Sequence, residues 1–328
     1  REYFASHPAQ ILVFRFTADK PGNFSGGSVN LVTKDFPESR TLSFSTGASY
    51  LNTVSHKQLL TYEGSSTDWL GYDGGLRQLP GILENPANLD RLPKGKTFFF
   101  DPVSAHFADD VARSFSPRLD PQSATAPLNR NFSLSVGDNV RLFGRSLGVV
   151  GSLTYSRGYT FYENGRRDTW MASRVGDRLV MQPYDLFSDS RGSNEVLWGG
   201  LASLTYSINQ RHTLGFSYVY NQNGESEARL IEGYALERGD YSRVFRSRVL
   251  GYSERNLRSE QIRGTHQPLG SYPMRIEWQL SYSRVTQEQP DVRQVADGGC
   301  DEIECAHAVI LSLLDAIMFS SIPFERST

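Results

Sequence analysis

Residues 146–160 read SLGVVGSLTYSRGYT, and size and polarity alternate along them. Odd positions hold Leu147, Val149, Gly151, Leu153, Tyr155, Arg157 and Tyr159. Even positions hold Ser146, Gly148, Val150, Ser152, Thr154, Ser156 and Gly158. A period of two is that of a β-strand with one apolar face. The pattern recurs at 41–50 (Leu42, Phe44, Ala48, Tyr50), 131–143 (Phe132, Leu134, Val136, Val140, Leu142) and 196–208 (Trp198, Ala202, Leu204, Tyr206, Ile208). It returns at 213–221 (Leu214, Phe216, Tyr218, Tyr220) and 274–284 (Met274, Ile276, Trp278, Leu280, Tyr282), with a less regular strand over 249–267.

The connections alternate as well. Tight turns are predicted at 144–146, 209–212 and 267–272, and long loops at 51–130, 161–195 and 225–248. Short turns on one side and long loops on the other are the layout of an outer-membrane barrel. Eleven residues at ~3.3 Å, tilted ~40°, rise about 28 Å, close to the ~25 Å apolar band of such barrels. The fold expected is therefore all-β: a partial antiparallel transmembrane β-barrel whose N-terminal part spans 39–291, with 51–130, 161–195 and 225–248 extracellular. Single-chain bacterial barrels have an even number of strands, so seven imply an incomplete set. Alternation alone also fits a soluble sandwich or solenoid. Against these stand polar faces of Ser, Gly and Thr with few Lys or Glu, where a water-exposed sheet carries charge. Aromatics also gather near the predicted strand ends.

Composition narrows the picture further. Aromatics are 12% of 328 residues, with 19 Phe and 16 Tyr, which suits strands. A formal net charge of −2 gives no bulk attraction for nucleic acid. No window has the ~20 apolar residues of a membrane helix, which leaves a closed barrel as the other way to cross.

One stretch outside the alternating strands, PGNFSGGSVNLVTKDFP at 21–37, contains Gly26-Gly27-Ser28-Val29-Asn30-Leu31-Val32-Thr33-Lys34. Placed just before the strands, it resembles the signature on the last strand of the plug in TonB-dependent outer-membrane receptors, with Ser28 where a hydrophobic residue is frequent. The likeness covers about residues 10–290. It implies that 1–38 is the C-terminal end of a plug domain, with Gly26, Gly27, Asn30 and Lys34 as its structural signature, inside a barrel of about 22 strands. It further implies a bacterial outer-membrane location, contact with membrane lipid, and uptake of a scarce small or oligomeric ligand driven by the TonB energy-transducing complex. The receptor performs no bond chemistry and carries no cofactor. A passive porin or adhesion barrel and a soluble β-rich binding module are the alternatives. After Val292 the alternation ends, and 292–328 is expected to be an out-of-frame or disordered tail.

Candidate ligand contacts are aromatics in the predicted outer loops, Trp69, Tyr72, Trp170 and Tyr184, which offer stacking faces and polar tips. Cys300, Cys305 and His307 supply three of the four ligands a structural zinc needs, so no metal site is expected there. The six histidines look scattered, and His212 falls in a tight turn.

Overall fold

The computed structural model describes residues 9–13, 28–32, 39–92, 102–115, 119–235, 244–268 and 274–298. It is mostly antiparallel β-sheet. Strands β1 (Ala9–Val13) and β2 (Ser28–Val32) form a two-stranded sheet of their own. Then follow β3 (Thr41–Ser49), β4 (Gln58–Thr61), the short helices α1 (Gly81–Glu84) and α2 (Pro86–Leu89), α3 (Pro102–Ser114) and β5 (Gln122–Thr125). The remainder is β6 (Asn129–Leu142), β7 (Arg145–Val175), β8 (Arg178–Asn209), β9 (His212–Ala235), β10 (Phe245–His266) and β11 (Ile276–Gly298).

All seven strands expected from the alternation lie in one sheet, in the order β11-β10-β9-β8-β7-β6-β3. Every neighbour in it is antiparallel. The sheet is a meander, interrupted only where residues 50–128 leave it between β3 and β6. It is open, with β3 and β11 as its edges. Two turns at one end are tight, and the third expected there, at 267–272, falls partly outside the described residues. Phe143 and Gly144 both take positive φ, 52° and 74°, which a two-residue hairpin of this twist requires. At the next turn on that end, Asn209 Oδ1 accepts from the backbone N–H of Arg211 (2.8 Å) and His212 (2.9 Å).

At the opposite end the strands outrun the expectation. The interval 161–195, read as a loop, is instead strand: β7 and β8 continue to a turn at Gly176 and Asp177. The interval 225–248 is also partly strand, because β9 runs to Ala235 and β10 begins at Phe245. These extensions lack a continuous apolar face and so show no regular alternation, but cross-strand ion pairs hold them: Arg229 Nη2 to Asp189 Oδ2 at 2.6 Å and Arg191 Nη2 to Glu227 Oε2 at 2.9 Å. The expected boundary at 291 moves as well, since β11 stays paired through Gly298. The rest of the expected tail lies outside the described residues.

The register aligns the faces of all seven strands. Val149, Leu204, Phe216, Ile262 and Leu280 form one row across β7 to β11. On the other face a row runs Thr41, Gly137, Val150, Ser203, Ser217, Gln261, Ser281 across the whole sheet. Burial is opposite to that of a soluble sheet. Leu204, Phe216 and Leu280 are 43%, 41% and 67% exposed, whereas Ser203, Thr205 and Ser217 are 2%, 3% and 8% exposed. Close packing on the polar face comes from long side chains lying over glycines of the next strand. A Cβ on Gly215 would stand 2.7 Å from the Arg263 side chain, and one on Gly199 would collide with that of Asn221.

Aromatics bound the apolar face at both ends. Tyr206 and Trp278 share a row near the tight turns, and Phe132, Tyr155 and Trp198 share a row toward the extensions. Phe132 and Tyr155 stack at 5.4 Å. On β7 those rows pass through Leu147 and Tyr155, eight residues or about 26 Å apart along the strand. Arg258 and Glu260 on β10 interrupt the band and pair with each other.

The interval 51–130 was expected to be one long loop. Its described residues instead form an insertion built from short elements without a long period. β4 pairs with β5, and the helices enclose Leu83, Leu92, Phe107 and Val111. It docks on the extended part of the sheet through Val54, Leu59 and Ala126 against Tyr159, and Tyr62 against Ala228, Leu250 and Tyr252. Two glycines permit the approach: a Cβ on Gly192 would lie 2.0 Å from the Leu60 carbonyl oxygen, and one on Gly224 would lie 2.4 Å from Gly71 Cα. Gly192→Val is expected to undock the insertion while leaving the tight-turn half of the sheet intact. Limited proteolysis should then cut 51–92 at least tenfold faster, with hydrogen exchange across 200–220 unchanged.

Candidate functional site

The insertion meets the sheet at one polar junction. A 3-10 turn at Asp68–Leu70 lies over β8 and β9, and sheet side chains bond to its backbone. Tyr155 Oη donates to the Trp69 carbonyl (3.0 Å), Trp198 Nε1 to that of Leu70 (2.8 Å), and Gln222 Nε2 to that of Gly71 (2.6 Å). Gly71 takes φ 73°, the left-handed conformation that glycine adopts without strain. The Tyr72 hydroxyl shares a short hydrogen bond with that of Tyr220, and its ring meets Trp198 edge-on at 6.5 Å.

Arg77 is the centre of the junction. Its side chain is fully buried and makes a two-pronged pair with Asp68, both contacts at 2.7 Å. It also reaches Asp73 Oδ1 at 3.1 Å and donates to Tyr62 Oη at 3.2 Å. Its guanidinium lies 3.9 Å from the centre of the Tyr252 ring, and Asp291 Oδ2 stands 4.0 Å from its Nε. Asp291 pairs in turn with Arg293 at 2.8 Å. Glu254 accepts the backbone N–H of Asp73. The cluster thus joins residues 62–77 to β10 and β11.

Burial sets the titration of this cluster. It pushes the Tyr62 and Tyr252 hydroxyls up, and Arg77 is raised by its bonds to Asp68 despite its burial, so it stays charged. Burial raises Asp291 against the opposing pull of Arg293, and raises Glu254 with help from the charges of Asp73 and Glu288. Four of the five N–H donors of Arg77 face a partner, so this guanidinium acts as a clamp between the insertion and the sheet. The adjoining cavity, lined by Tyr62, Leu250 and Arg293 among others, holds about 30 Å³, room for roughly one water.

The four aromatic candidates separate into two places. Trp69 and Tyr72 come together at the junction, Trp69 with 52% of its surface exposed and Tyr72 half-buried. Trp170 and Tyr184 lie together in the distal β7–β8 hairpin, where Trp170 pairs with Pro183 and Tyr184 is the extra residue of a bulge. The structure does not bring the two pairs into one cleft. Asn30 lies in β2 opposite Ile11, and Gly26, Gly27 and Lys34 lie outside the described residues, as do Cys300, Cys305 and His307.

Arg77, Asp68 and Asp73 escaped the sequence reading. Nothing in the sequence marks them, because two aspartates and an arginine in a Gly- and aromatic-rich stretch read equally well as a freely solvated loop. Among the charged residues of the strands, Arg141 and Glu277 lie on the small polar face, whereas Arg157 lies on the other and donates to Asn194 Oδ1 at 3.0 Å.

Together, fold and junction define a class: a two-faced antiparallel meander with its apolar side bare and an ordered insertion clamped beyond it. Comparison with family models, with curated proteins and with solved structures returned no match.

Removing one partner of a buried charge cluster typically costs 3–5 kcal/mol. Arg77→Met is expected to weaken docking of the insertion by about that amount, read as faster amide exchange over 62–77. Asp291 and Glu254 bind protons more tightly in the docked state than when open. Their contribution therefore favours docking at low pH and is lost as pH rises through the docked-state values. Opening of 62–77 should be slower at pH 5 than at pH 8, and Glu254→Gln should flatten that dependence.

Proposed function

We propose that this chain forms part of the wall of an outer-membrane receptor of the TonB-dependent kind, with its apolar face against hydrocarbon. One observation carries the reading. Across seven strands in register, large apolar side chains line one exposed face within a band bounded by aromatics, while at the centre of the sheet, on β8 and β9, the small hydroxyl-bearing Ser203, Thr205 and Ser217 of the other face are buried. A water-soluble sheet loses free energy by that arrangement; a membrane wall gains by it. Hydrogen bonding is satisfied from strand to strand, as a hydrocarbon solvent demands.

The remaining parts of the reading follow from that location. The tight turns face the periplasm, and the extended hairpins with their insertion face outward, where Trp69, Tyr72, Trp170 and Tyr184 are placed to contact a small or oligomeric ligand. The β1–β2 pair, separate from the wall sheet and carrying Val29 and Asn30 of the Gly-Gly-x-hydrophobic-Asn pattern, is read as the end of a plug on which the TonB complex acts. The chain moves a ligand and makes or breaks no bonds.

Two measurements test this. Phe216→Arg, at mid-band, is expected to cost about 2–4 kcal/mol of folding free energy in bilayers, and Gln261→Arg on the polar face less than about 1 kcal/mol. Equal costs at the two positions would contradict the wall reading. For the plug, Asn30→Cys paired with Ser203→Cys is expected to crosslink within one chain in outer-membrane fractions. A barrel in which neither Ser203→Cys nor any other cysteine on the polar face crosslinks to position 30 is a porin or adhesin.

A further inference from the structure

At the tight-turn end, the sequence places two histidines far apart and the sheet brings them together. His212 opens β9 and His266 closes β10, and the register sets them directly opposite. Their rings lie 5.2 Å apart, and the two Nδ1 atoms are 3.0 Å from each other. His266 Nε2 accepts from Trp278 Nε1 at 2.9 Å on the next strand. Both imidazoles are half-buried, on a backbone fixed by the Asn209 turn and by Gln267 N–H donating to the Arg211 carbonyl.

We propose that His212 and His266 form a two-nitrogen site for a divalent transition-metal ion, with Cu²⁺ favoured over Zn²⁺. Metal–imidazole bonds are about 2.0–2.1 Å. Two such bonds at a right angle put the nitrogens about 2.9 Å apart, and at the tetrahedral angle about 3.4 Å. The observed 3.0 Å fits the right angle of tetragonal Cu²⁺ or Ni²⁺ coordination. Cross-strand pairing supplies this spacing before any ion arrives, so little ordering is needed on binding. Among the described residues no group of three His, Cys, Asp or Glu side chains forms a metal cluster, so the other coordination positions are filled by water or by a donor on an incoming ligand.

Trp278 opposes binding. Its N–H holds His266 with a free Nε2 and a proton on Nδ1, between the two rings. An ion takes both Nδ1 lone pairs, so that proton moves to Nε2 through solvent, and the indole N–H turns to another acceptor. Trp278 is thus both a competitor and a reporter, with its ring 6.2 Å from that of His266.

The test uses the full chain folded in detergent micelles, titrated with Cu²⁺ alone while tryptophan fluorescence is followed. Quenching at micromolar Cu²⁺ is expected, with Zn²⁺ at least tenfold weaker as a competitor. His212→Asn and His266→Asn should each weaken the quenching at least tenfold, and Trp278→Phe should abolish it. Cu²⁺ bound to Trp278→Phe, measured by the electron paramagnetic resonance signal of two imidazole nitrogens, should be held at least as tightly as by the parent. Quenching that neither histidine substitution weakens, or that remains in Trp278→Phe, overturns the proposal. Circular dichroism of each variant separates loss of the site from loss of the fold.

Discussion

The constraint on which the rest of this structure depends is the sidedness of one seven-stranded sheet. The register is continuous from β3 to β11, so each strand's alternation adds to its neighbour's. Leu204, Phe216, Ile262 and Leu280 stand side by side in the open, each worth about 1.5–3 kcal/mol if removed from water. Soluble monomers rarely expose so large a continuous apolar surface. The opposite face is formed by Ser203, Thr205 and Ser217, side chains too small to form a core. A slip of one residue would exchange the faces, so the same pattern that calls for hydrocarbon on one side also fixes the register.

Beyond the band the physics changes. The extensions of β7 to β10 have no continuous apolar face, and they are stabilised by pairs such as Arg229–Asp189 and by the insertion docked on Ala228, Leu250 and Tyr252. Burial of Arg77 requires that almost every donor be met, and Asp68, Asp73, Tyr62 and the Tyr252 face meet it. The result is an ordered platform that holds Trp69 outward at the aromatic rim. The distal hairpin with Trp170 and Tyr184 stands apart from that platform, so a ligand touching both would have to be long.

How much of this was legible in the sequence differs between parts for physical reasons. The seven strands of the sheet were readable because one face is largely apolar, which writes a period of two into the chain. The outer half of β7 and β8 was not, because ion pairs and backbone bonding hold strands together without any periodic signal. The 51–130 insertion hid its order in short elements, and its key residue, Arg77, is recognisable only with its partners on β10 and β11. His212 and His266 gave no signal at all: 54 residues separate them, and only antiparallel register makes them neighbours. Of the aromatic candidates, Trp69 and Tyr72 were close in sequence and proved close in space, but no sequence pattern showed that the Tyr72 hydroxyl would bond to Tyr220.

The central claim, that hydrocarbon covers the apolar face, is tested most directly by a nitroxide scan of residues 197–208 on β8, with the protein in lipid bilayers. The account calls for collision with oxygen to peak at even positions such as Ala202, Leu204 and Ile208, and to fall at the odd positions between them. Contact with a water-soluble nickel chelate should show no peak at those even positions. Even positions open to the chelate and closed to oxygen would mean that water, not lipid, meets this face, and the account would fail.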